Sequence, residues 1–402
     1  MVVLGTIKYN FYPFRMRTKT ATRCNRQLME GKMIMEPDQF ASGQPLVSVI
    51  IPAYNAEAFI LHTLNSVISQ TYKNIEVIVV DDGSHDKTAQ IVESIMQRDD
   101  RVTLLQQPNS GVSAARNKAI EKSRGEYIAP IDADDIWYPQ SIEKQVQCML
   151  HAGPSTGVVY AWSAHIDEKG LLTGGHNAFD LAGDVFEALM FSNFIGNGSA
   201  SLIRRICFNR IGGYNAQVEP CEDLDLYLRI AELYKFHVVK EFLVGYRKTT
   251  GSRSFNCRGM ETSLRIILRN RKQQYPDIPL FFYRWSWGHY YLYLSNQSRL
   301  SGRYWISIHY LYKAARADLV LLLYPEFYRH LCRCGLRLVE KAVIFTARIL
   351  HCPSATNFRK AGTTHKKFTI SDIEIRSSRR LPCSLNKLHR ARLQRIHRLF
   401  AK

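Results

Sequence analysis

The sequence predicts an α/β domain with a mostly parallel sheet that carries helices on both faces, followed by a helical and basic C-terminal region. Short, continuous apolar segments alternate with segments of helical periodicity from Leu46 to about residue 150. This is the pattern of parallel strands joined by helices. Carboxylates follow one of the apolar segments, in Asp132-Ala133-Asp134-Asp135. From residue 257 to the end, the chain has 28 Lys and Arg residues but only 7 Asp and Glu residues.

The elements of the parallel sheet are short and closely spaced. The predicted strands are Val47–Pro52, Ile75–Val80, Val102–Leu105 and Tyr127–Ile131. The predicted helices between them are Glu57–Ser69, Thr88–Met96 and Gly111–Lys122. The strands are mostly apolar and the helices have an apolar stripe, so we expect the strands in the interior. Ligands of such sheets bind at the carboxyl ends of the strands.

The second half of this domain is less regular. A strand is predicted at Val158–Trp162, and residues 170–185 are predicted to form a loop. A helix is expected to begin at Arg204, and another near Asp223, where apolar residues return with helical spacing.

The basic C-terminal region is predicted to be helical. Its predicted helices are Glu261–Gln274, Phe281–Leu294, Gly302–Ala317 and Phe327–Leu350, with prolines in two of the gaps. Residues 353–383 are expected to form a linker. A final helix from Leu385 to Phe400 places most apolar residues on one face and most basic residues elsewhere. This pattern is typical of a helix on an anionic lipid surface, and a docking helix for a partner protein is the alternative.

These patterns divide the chain into four parts. Residues 1–43 are a basic N-terminal extension that we expect to be disordered. Residues 44–256 form the α/β domain, with a first half at about 44–150 and a second half at 151–256. Residues 257–352 are the helical C-terminal region, and residues 353–402 are the linker and basic amphipathic helix. No signal peptide or membrane-spanning helix is predicted, and we expect a cytoplasmic location, with peripheral contact at the inner face of the membrane as a further expectation.

Three polar clusters are predicted to meet at one edge of the sheet. Tyr54 and Asn55 follow the first strand, Asp81 and Asp82 follow the second, and the Asp132 cluster follows the fourth. An aromatic ring, a carboxylate and a metal-binding carboxylate pair would together suit a metal-bound nucleotide. Each cluster also has a simpler explanation, as a packing residue or a solvated turn. The first turn contains no Gly-x-Gly-x-x-Gly, which argues against a dinucleotide-binding Rossmann domain.

The chain resembles family 2 glycosyltransferases of the GT-A type, whose sheet is Rossmann-like, from about Leu46 to Ser254. The resemblance depends on five motifs in the expected order. They are Val47-Ser48-Val49-Ile50-Ile51-Pro52-Ala53-Tyr54-Asn55, Ser69-Gln70-Thr71-Tyr72, Val79-Val80-Asp81-Asp82-Gly83-Ser84, Gly111-Val112-Ser113-Ala114-Ala115-Arg116-Asn117 and Asp132-Ala133-Asp134-Asp135.

The resemblance implies roles for these residues. Tyr54 would stack on the nucleobase, beside Pro52 and Asn55, and Asp82, alone or with Asp81, would bind the base. Asp132 would lie near the ribose or the metal. Asp134 would ligate Mn²⁺ or Mg²⁺ on the diphosphate of a nucleoside-diphosphate sugar. Arg116 would contact the donor or stabilise the carboxylate cluster. The residues implicated in nucleotide binding are therefore Pro52, Tyr54, Asn55, Asp81, Asp82, Arg116 and Asp132.

A second carboxylate pair, Glu222 and Asp223, precedes the helix near residue 223. Carboxylates are favoured at a helix N-terminus by about 0.3–1 kcal/mol, so a structural role is one interpretation. The resemblance implies a catalytic one, in which Asp223, or failing that Glu222, removes the acceptor proton. Many members of the family have a histidine where this chain has Thr249, so the resemblance does not imply a third protein ligand for the metal. Arg247 and Arg253 would hold the diphosphate instead, or be solvated.

The leading hypothesis is an inverting, metal-dependent glycosyltransferase that adds a single sugar to a saccharide or lipid-linked acceptor in cell-surface polysaccharide or glycan synthesis. The Gln-x-x-Arg-Trp motif of processive synthases is absent from the sequence. One alternative is a non-catalytic sugar-nucleotide-binding scaffold. Another is a basic nucleic-acid-binding or membrane-binding protein, although no nucleic-acid recognition motif is present and no nucleic acid is expected.

Overall fold

The computed structural model describes residues 44–249 and 252–349. The predictions for residues 1–43 and 353–402, including the final amphipathic helix, therefore lie outside the described residues. The described part contains one nine-stranded mixed sheet. Its strands are β1 (Val47–Ala53), β2 (Ile75–Asp81), β3 (Val102–Gln106), β4 (Tyr127–Pro130), β5 (Ile136–Trp137), β6 (Thr156–Ile166), β7 (Leu172–Asn177), β8 (Ser201–Arg204) and β9 (Lys235–Arg247).

Eleven α-helices accompany the sheet in the described residues. Those of the first 256 residues are α1 (Ile60–Ile68), α2 (Thr88–Met96), α3 (Val112–Lys122), α4 (Ser141–Ala152), α5 (Phe186–Phe191), α6 (Arg205–Ile211) and α7 (Glu222–Ala231). Those of the C-terminal region are α8 (Cys257–Gln274), α9 (Leu280–Leu300), α10 (Tyr304–Ala317) and α11 (Pro325–Ile349).

The first half of the sheet confirms the predicted parallel arrangement. The strand order is β3-β2-β1-β4-β8-β6-β9-β5, and β7 pairs with β6. β1 lies between β2 and β4 and is parallel to both, and β3 is parallel to β2. All seven residues of β2 are buried, as expected for a strand covered on both faces. The turns after β1, β2 and β4 therefore lie at the same edge of the sheet.

The second half of the sheet differs from the prediction. β8 runs antiparallel to β4 and to β6, so only the first half is purely parallel. Residues 170–185 were predicted to be a loop, which is wrong for Leu172–Asn177, because this segment pairs antiparallel with β6 as β7. The segment has two glycines and few apolar residues, so it lacks the usual sequence signal of a strand. β9, also unpredicted, pairs parallel with β6.

The C-terminal helices share a core with the sheet. Buried apolar side chains of α8 and α9, such as Leu264 and Phe282, belong to the same cluster as the buried residues of β1. The hydroxyl of Tyr290 on α9 donates a hydrogen bond of 2.7 Å to the carbonyl of Leu189 on α5. The predicted helices of this region are confirmed, with slightly different ends. Within residues 44–249 and 252–349, no helix is long and apolar enough to cross a membrane.

Candidate active site

A cavity of about 880 Å³ opens where the parallel strands end. It is within the size range typical of ligand sites. The predicted site residues that line it are Pro52, Tyr54, Asn55, Asp82, Arg116, Asp132, Asp134, Glu222 and Asp223. Asp81 is buried at the end of β2 and is not among the lining residues. The three polar clusters and the Glu222–Asp223 pair therefore face one cavity.

The turn after β1 presents an aromatic ring to this cavity. Tyr54 is 48% exposed, although it is large and partly apolar. Asn55 has a φ of +47°, and its side-chain oxygen accepts a hydrogen bond of 2.9 Å from the backbone N–H of His85. The Asn55 N–H donates to the hydroxyl of Ser84 at 2.9 Å. The Asn55 side chain therefore ties the turns after β1 and β2 together, which leaves the Tyr54 ring free to contact a planar ligand.

The two aspartates at the end of β2 accept hydrogen bonds, most of them from backbone N–H groups. Asp82 accepts hydrogen bonds from the N–H groups of Ser110 at 2.8 Å and Gly111 at 2.9 Å, and from the Gln107 side chain at 2.7 Å. Asp81 accepts from the N–H of Ser84 at 3.1 Å. Asp82 thus fixes the turn that leads into α3 while it also lines the cavity.

The loop after β4 separates its three carboxylates into different environments. Asp135 is fully buried, and it accepts hydrogen bonds from the Ser199 hydroxyl at 2.5 Å and the Arg247 backbone N–H at 2.8 Å. Burial, with the charges of Asp134 and Asp132, raises the pKa of Asp135 well above its ordinary value. Asp132 and Asp134 are only partly buried and line the cavity. Asp135 therefore holds the loop, and its two neighbours face the space where a ligand binds.

Asp132 and Asp134 fit the requirements of a hard divalent cation. The Asp134 carboxylate makes no hydrogen bond or ion pair with another described residue, and burial together with Asp132 raises its pKa to about 6. No group of three or more His, Cys, Asp or Glu residues that could hold a metal occurs in the described ranges. Magnesium commonly uses only one or two carboxylates together with substrate phosphates. The donor set therefore suits Mg²⁺ or Mn²⁺ shared with a diphosphate.

Arg116 connects the two carboxylate pairs. It lies on α3 and is 3% exposed, and it forms ion pairs of 2.5 Å with Asp132 and 2.8 Å with Glu222. Burial alone would lower the pKa of Arg116, but Asp132, Tyr214 and Glu222 hold it well above its ordinary value. Of the two roles considered for Arg116, the observed contacts match stabilisation of the carboxylate cluster.

Asp223 and Glu222 also have distinct surroundings. Glu222 is buried and ion-paired with Arg116, whereas Asp223 has no ion pair within the described residues. Asp223 accepts a hydrogen bond of 2.9 Å from the Asn193 side chain, and its other oxygen accepts from the N–H of Leu224 at 2.7 Å. Burial, followed by the charge of Glu222, raises the pKa of Asp223 to about 6. Asp223 is therefore the carboxylate better suited to accept a proton near neutral pH.

The C-terminal region supplies one wall of the cavity. Residues of α8 and α9 line it, namely Met260, Leu264, His289, Tyr290, Tyr293 and Gln297. Tyr293 is 38% exposed, and the side-chain oxygen of Gln297 is buried with no hydrogen-bond partner in the described chain. These residues line the same cavity as Asp223, so this wall faces the candidate base.

Several residues of this site were missed by the sequence reasoning. They are Asn193, Ser199, Glu219, Lys248 and Tyr293. Asn193 and Ser199 belong to a segment of mostly small and polar residues, 193–201, that carries no motif. Glu219 accepts a hydrogen bond of 2.8 Å from the N–H of Ser113 at the start of α3. Lys248 had no motif signal, because its position is visible only when β9 is placed beside β6.

Comparisons with known proteins indicate the family of this chain. The model of the family described as "Glycosyl transferase family 2" matches residues 48–212. An uncharacterized glycosyltransferase of Rickettsia typhi is 34% identical over 206 residues, which are 48% of this chain and 62% of that protein. This chain therefore spans less than two thirds of that relative.

Two further proteins are similar to this chain. An uncharacterized glycosyltransferase of Methanocaldococcus jannaschii is 30% identical over 208 residues, which are 51% of this chain and 71% of the relative. A solved structure of a mannosyltransferase from Pyrobaculum calidifontis, in complex with GDP-Man and Mn²⁺, has a TM-score of 0.48 and 18% identity, over 80% of this chain and 92% of that one. From the family match and the archaeal relative, we conclude that the chain belongs to glycosyl transferase family 2.

Proposed function

We propose that this protein is an inverting, metal-dependent glycosyltransferase that moves a single sugar from a nucleoside-diphosphate donor to a hydroxyl of a saccharide or lipid-linked acceptor. The observation that carries this proposal is that the Asp132–Asp134 pair and Asp223 line the same cavity. A carboxylate pair suits the diphosphate-bound metal, and a separate carboxylate with a raised pKa suits proton removal. A scaffold that only binds sugar nucleotides would not need the second group.

The donor would lie along the edge of the parallel strands. Tyr54 offers its exposed ring to the base, Pro52 and Asn55 line the same end, and Asp82 faces the cavity beside them. Asp134, with Asp132, would hold Mg²⁺ or Mn²⁺ against the diphosphate. When bound, such a metal supplies charge neutralisation for the departing diphosphate.

The reaction is a single displacement. The acceptor oxygen forms a bond to the anomeric carbon while the bond from that carbon to the diphosphate oxygen breaks. The acceptor proton passes to the carboxylate of Asp223, and the electron pair of the broken bond leaves with the nucleoside diphosphate. Asn193 orients Asp223 through its 2.9 Å hydrogen bond. Because attack comes from the side opposite the leaving group, the anomeric configuration of the sugar inverts.

The residues of α8 and α9 that line the cavity support the proposal that the acceptor is a saccharide. The Tyr293 ring is partly exposed, and the polar side chains of His289 and Gln297 line the same wall of the cavity. A sugar ring has an apolar face of C–H groups and a rim of hydroxyls, so an aromatic ring beside polar groups matches both features.

The exposed surface of α11 and of the residues just before it supports the proposal that the protein contacts a membrane that carries such an acceptor. Leu336 and Val339 on α11, and Leu323 just before this helix, are each more than 60% exposed, and Arg333 and Arg337 also lie on α11. Apolar and basic side chains side by side suit the surface of an anionic bilayer. We propose on this basis that the protein works in the cytoplasm at the inner face of a membrane.

The test is a screen of nucleotide sugars followed by product analysis. The wild-type protein is incubated with each nucleotide sugar and Mn²⁺, and binding and slow donor hydrolysis are measured, because neither needs the acceptor. The donor identified in this way is then used with saccharide and lipid-linked acceptor fractions, and NMR of the anomeric proton gives the configuration. Inversion is the expected result. Retention of configuration, or absence of metal-dependent binding of any nucleotide sugar, would contradict the proposal.

A further inference from the structure

We propose that Lys248 is an anion-binding residue of the cavity that contacts the diphosphate of the donor and of the departing nucleotide. This inference rests on the proposed function, because it names a further group in the same site. Lys248 follows directly after β9, and its N–H donates a 3.0 Å hydrogen bond to the carbonyl of Ile166. It therefore continues the pairing of β9 with β6, and its side chain lines the cavity.

Four Lys and Arg side chains are among the residues that line the cavity, and three of them are already occupied. Arg116 is paired with Asp132 and Glu222. Arg253 is paired with Glu219 at 3.3 Å and lies 3.8 Å from Glu222. Their positive charges are thus balanced by protein carboxylates.

Arg247 is occupied in a different way. Its side chain donates hydrogen bonds to the backbone carbonyls of Asp134 at 2.6 Å, Asp167 at 2.5 Å and Glu168 at 3.0 Å. Its guanidinium also lies 4.7 Å from the centre of the Phe59 ring. These contacts hold the Arg247 side chain against the loop after β4, so Arg247 stabilises that loop.

Lys248 differs from these three arginines. Among the described residues, no carboxylate lies within ion-pair distance of its ammonium, which donates hydrogen bonds to the hydroxyls of Ser254 at 2.8 Å and Tyr246 at 3.5 Å. The ammonium also lies 4.5 Å from the centre of the Tyr246 ring. Because no carboxylate of the described residues balances the positive charge of this partly buried ammonium, the charge is available to an anionic ligand.

The position of Lys248 indicates which ligand this is. Its neighbour Arg247 donates hydrogen bonds to the Asp135 carboxylate at 2.8 Å and to the Asp134 carbonyl at 2.6 Å, and Lys248 and Asp134 line the same cavity. His165, which pairs with Tyr246 between β6 and β9, is neutral at pH 7, because burial and the charge of Lys248 lower its pKa to about 3. Lys248 therefore lies beside the loop after β4, whose Asp134 is proposed to hold the metal and where the diphosphate would bind. Lys248 also directly precedes Thr249 in the sequence, the position where the family pattern would place a further metal ligand.

The test measures ligand affinity in the full-length protein, without relying on transfer. Calorimetric titrations are run with UDP, GDP, CDP and ADP, and then with the nucleoside of the tightest-binding diphosphate, in EDTA and in Mg²⁺. The variant Lys248→Met is expected to weaken diphosphate binding by about tenfold or more in EDTA, because a charge-assisted hydrogen bond is lost. Affinity for the nucleoside should stay unchanged. Lys248→Arg should restore most of the diphosphate affinity.

The matched control is Lys235→Met, which removes an exposed lysine at the start of β9. It should bind the diphosphate as the wild type does, and thermal unfolding of all variants reports on the fold. Equal diphosphate affinity in wild type and Lys248→Met would overturn the proposal, and so would an equal loss of nucleoside affinity. Failure of the wild type to bind any nucleoside diphosphate in Mg²⁺ would instead contradict the proposed function itself.

Discussion

At the scale of single residues, adjacent carboxylates in this protein do different work because their surroundings differ. Asp135 is locked by Ser199 and the Arg247 backbone, whereas Asp134 beside it has no such partner in the described chain. Glu222 is neutralised by Arg116, whereas Asp223 is held only by neutral donors. Sequence reasoning located both pairs, but the division of roles within each pair depends on contacts with residues that lie 60 or more positions away in the chain.

Replacement of Asp223 by Asn should reduce turnover and change the pH dependence. Loss of a positioned base costs on the order of 10²–10⁴-fold in rate. Since the Asp223 pKa is raised to about 6 and the base must be ionised, wild-type kcat/KM should fall as the pH decreases through about 6. With Mg²⁺ or Mn²⁺ saturating at every pH, so that Asp134, whose pKa is also raised to about 6, stays ionised, this acid limb should be absent from Asp223→Asn, which should still bind the donor.

Glu222→Gln is the comparison for this variant. It breaks the buried ion pair with Arg116, so its thermal unfolding temperature should fall, whereas that of Asp223→Asn should not. If Glu222→Gln loses the acid limb and Asp223→Asn keeps it, the assignment of the base is reversed.

Asp134 and Asp135 should respond to Ala substitution in opposite ways. Asp135→Ala leaves the buried Arg247 N–H and the Ser199 hydroxyl without their acceptor, at about 1–3 kcal/mol for each unsatisfied group. Asp134→Ala removes a carboxylate whose ionised form is disfavoured by burial and by Asp132, so the free energy of unfolding should stay constant or rise. Urea unfolding of both variants measures this. An equally large destabilisation by Asp134→Ala would show that Asp134 is a structural residue.

At the scale of elements, the cavity is assembled from two sources. The edge of β1, β2 and β4 supplies the donor side, and α7, α8 and α9 supply the side that contains Asp223 and Tyr293. The family match ends at residue 212, so α8 and α9 lie outside the matched segment. The donor side should therefore follow the family pattern, and the wall formed by α8 and α9 should determine which acceptor is used.

Tyr293→Ala should separate these two functions. Donor binding and slow donor hydrolysis should stay within about twofold of wild type, while the KM for a saccharide acceptor should rise by about tenfold, because the loss of an aromatic contact of this kind costs roughly 1 kcal/mol or more. Tyr312→Ala on α10, which removes an exposed tyrosine outside the cavity lining, is the control and should change neither. Equal effects of the two variants on acceptor KM would exclude Tyr293 from the acceptor site.

The sequence predicted the parallel strands and the helices well, because continuous apolar segments and 3.6-residue periodicity are local signals. It failed at β7, where Gly174 and Gly175 conceal a strand that only its pairing with β6 stabilises. Local motifs likewise singled out Tyr54, Asp134 and Asp223, which line the cavity, whereas Lys248, which also lines it, and Ser199 carry no motif. Their importance comes from pairing between distant segments, which a single sequence does not show.

At the scale of the whole molecule, the excess of basic residues and most residues of the cavity lie in different parts of the chain. The first 256 residues contain 26 basic and 28 acidic residues, and the remaining 146 contain 28 and 7. The cavity is built mainly from the nearly neutral part, and the exposed apolar and basic residues of α11 lie in the other. We therefore expect that changes to the proposed membrane-binding surface would leave the proposed chemistry intact.

Binding to anionic membranes should depend on α11 and on the chain that follows it. Each basic residue near an anionic leaflet contributes about 1 kcal/mol, and exposed leucines add burial of apolar area. The double substitution Leu323→Glu and Leu336→Glu, and separately a truncation after Cys352, should each reduce flotation with phosphatidylserine-containing vesicles at low salt. Both variants should retain transfer to a water-soluble acceptor. Raising the salt concentration should weaken wild-type flotation, because the Debye length falls to about 8 Å at 0.15 M. If the wild-type protein does not float with anionic vesicles at low salt, or floats equally with neutral ones, the exposed surface of α11 does not bind anionic lipid, and a protein partner becomes the better explanation of its leucines.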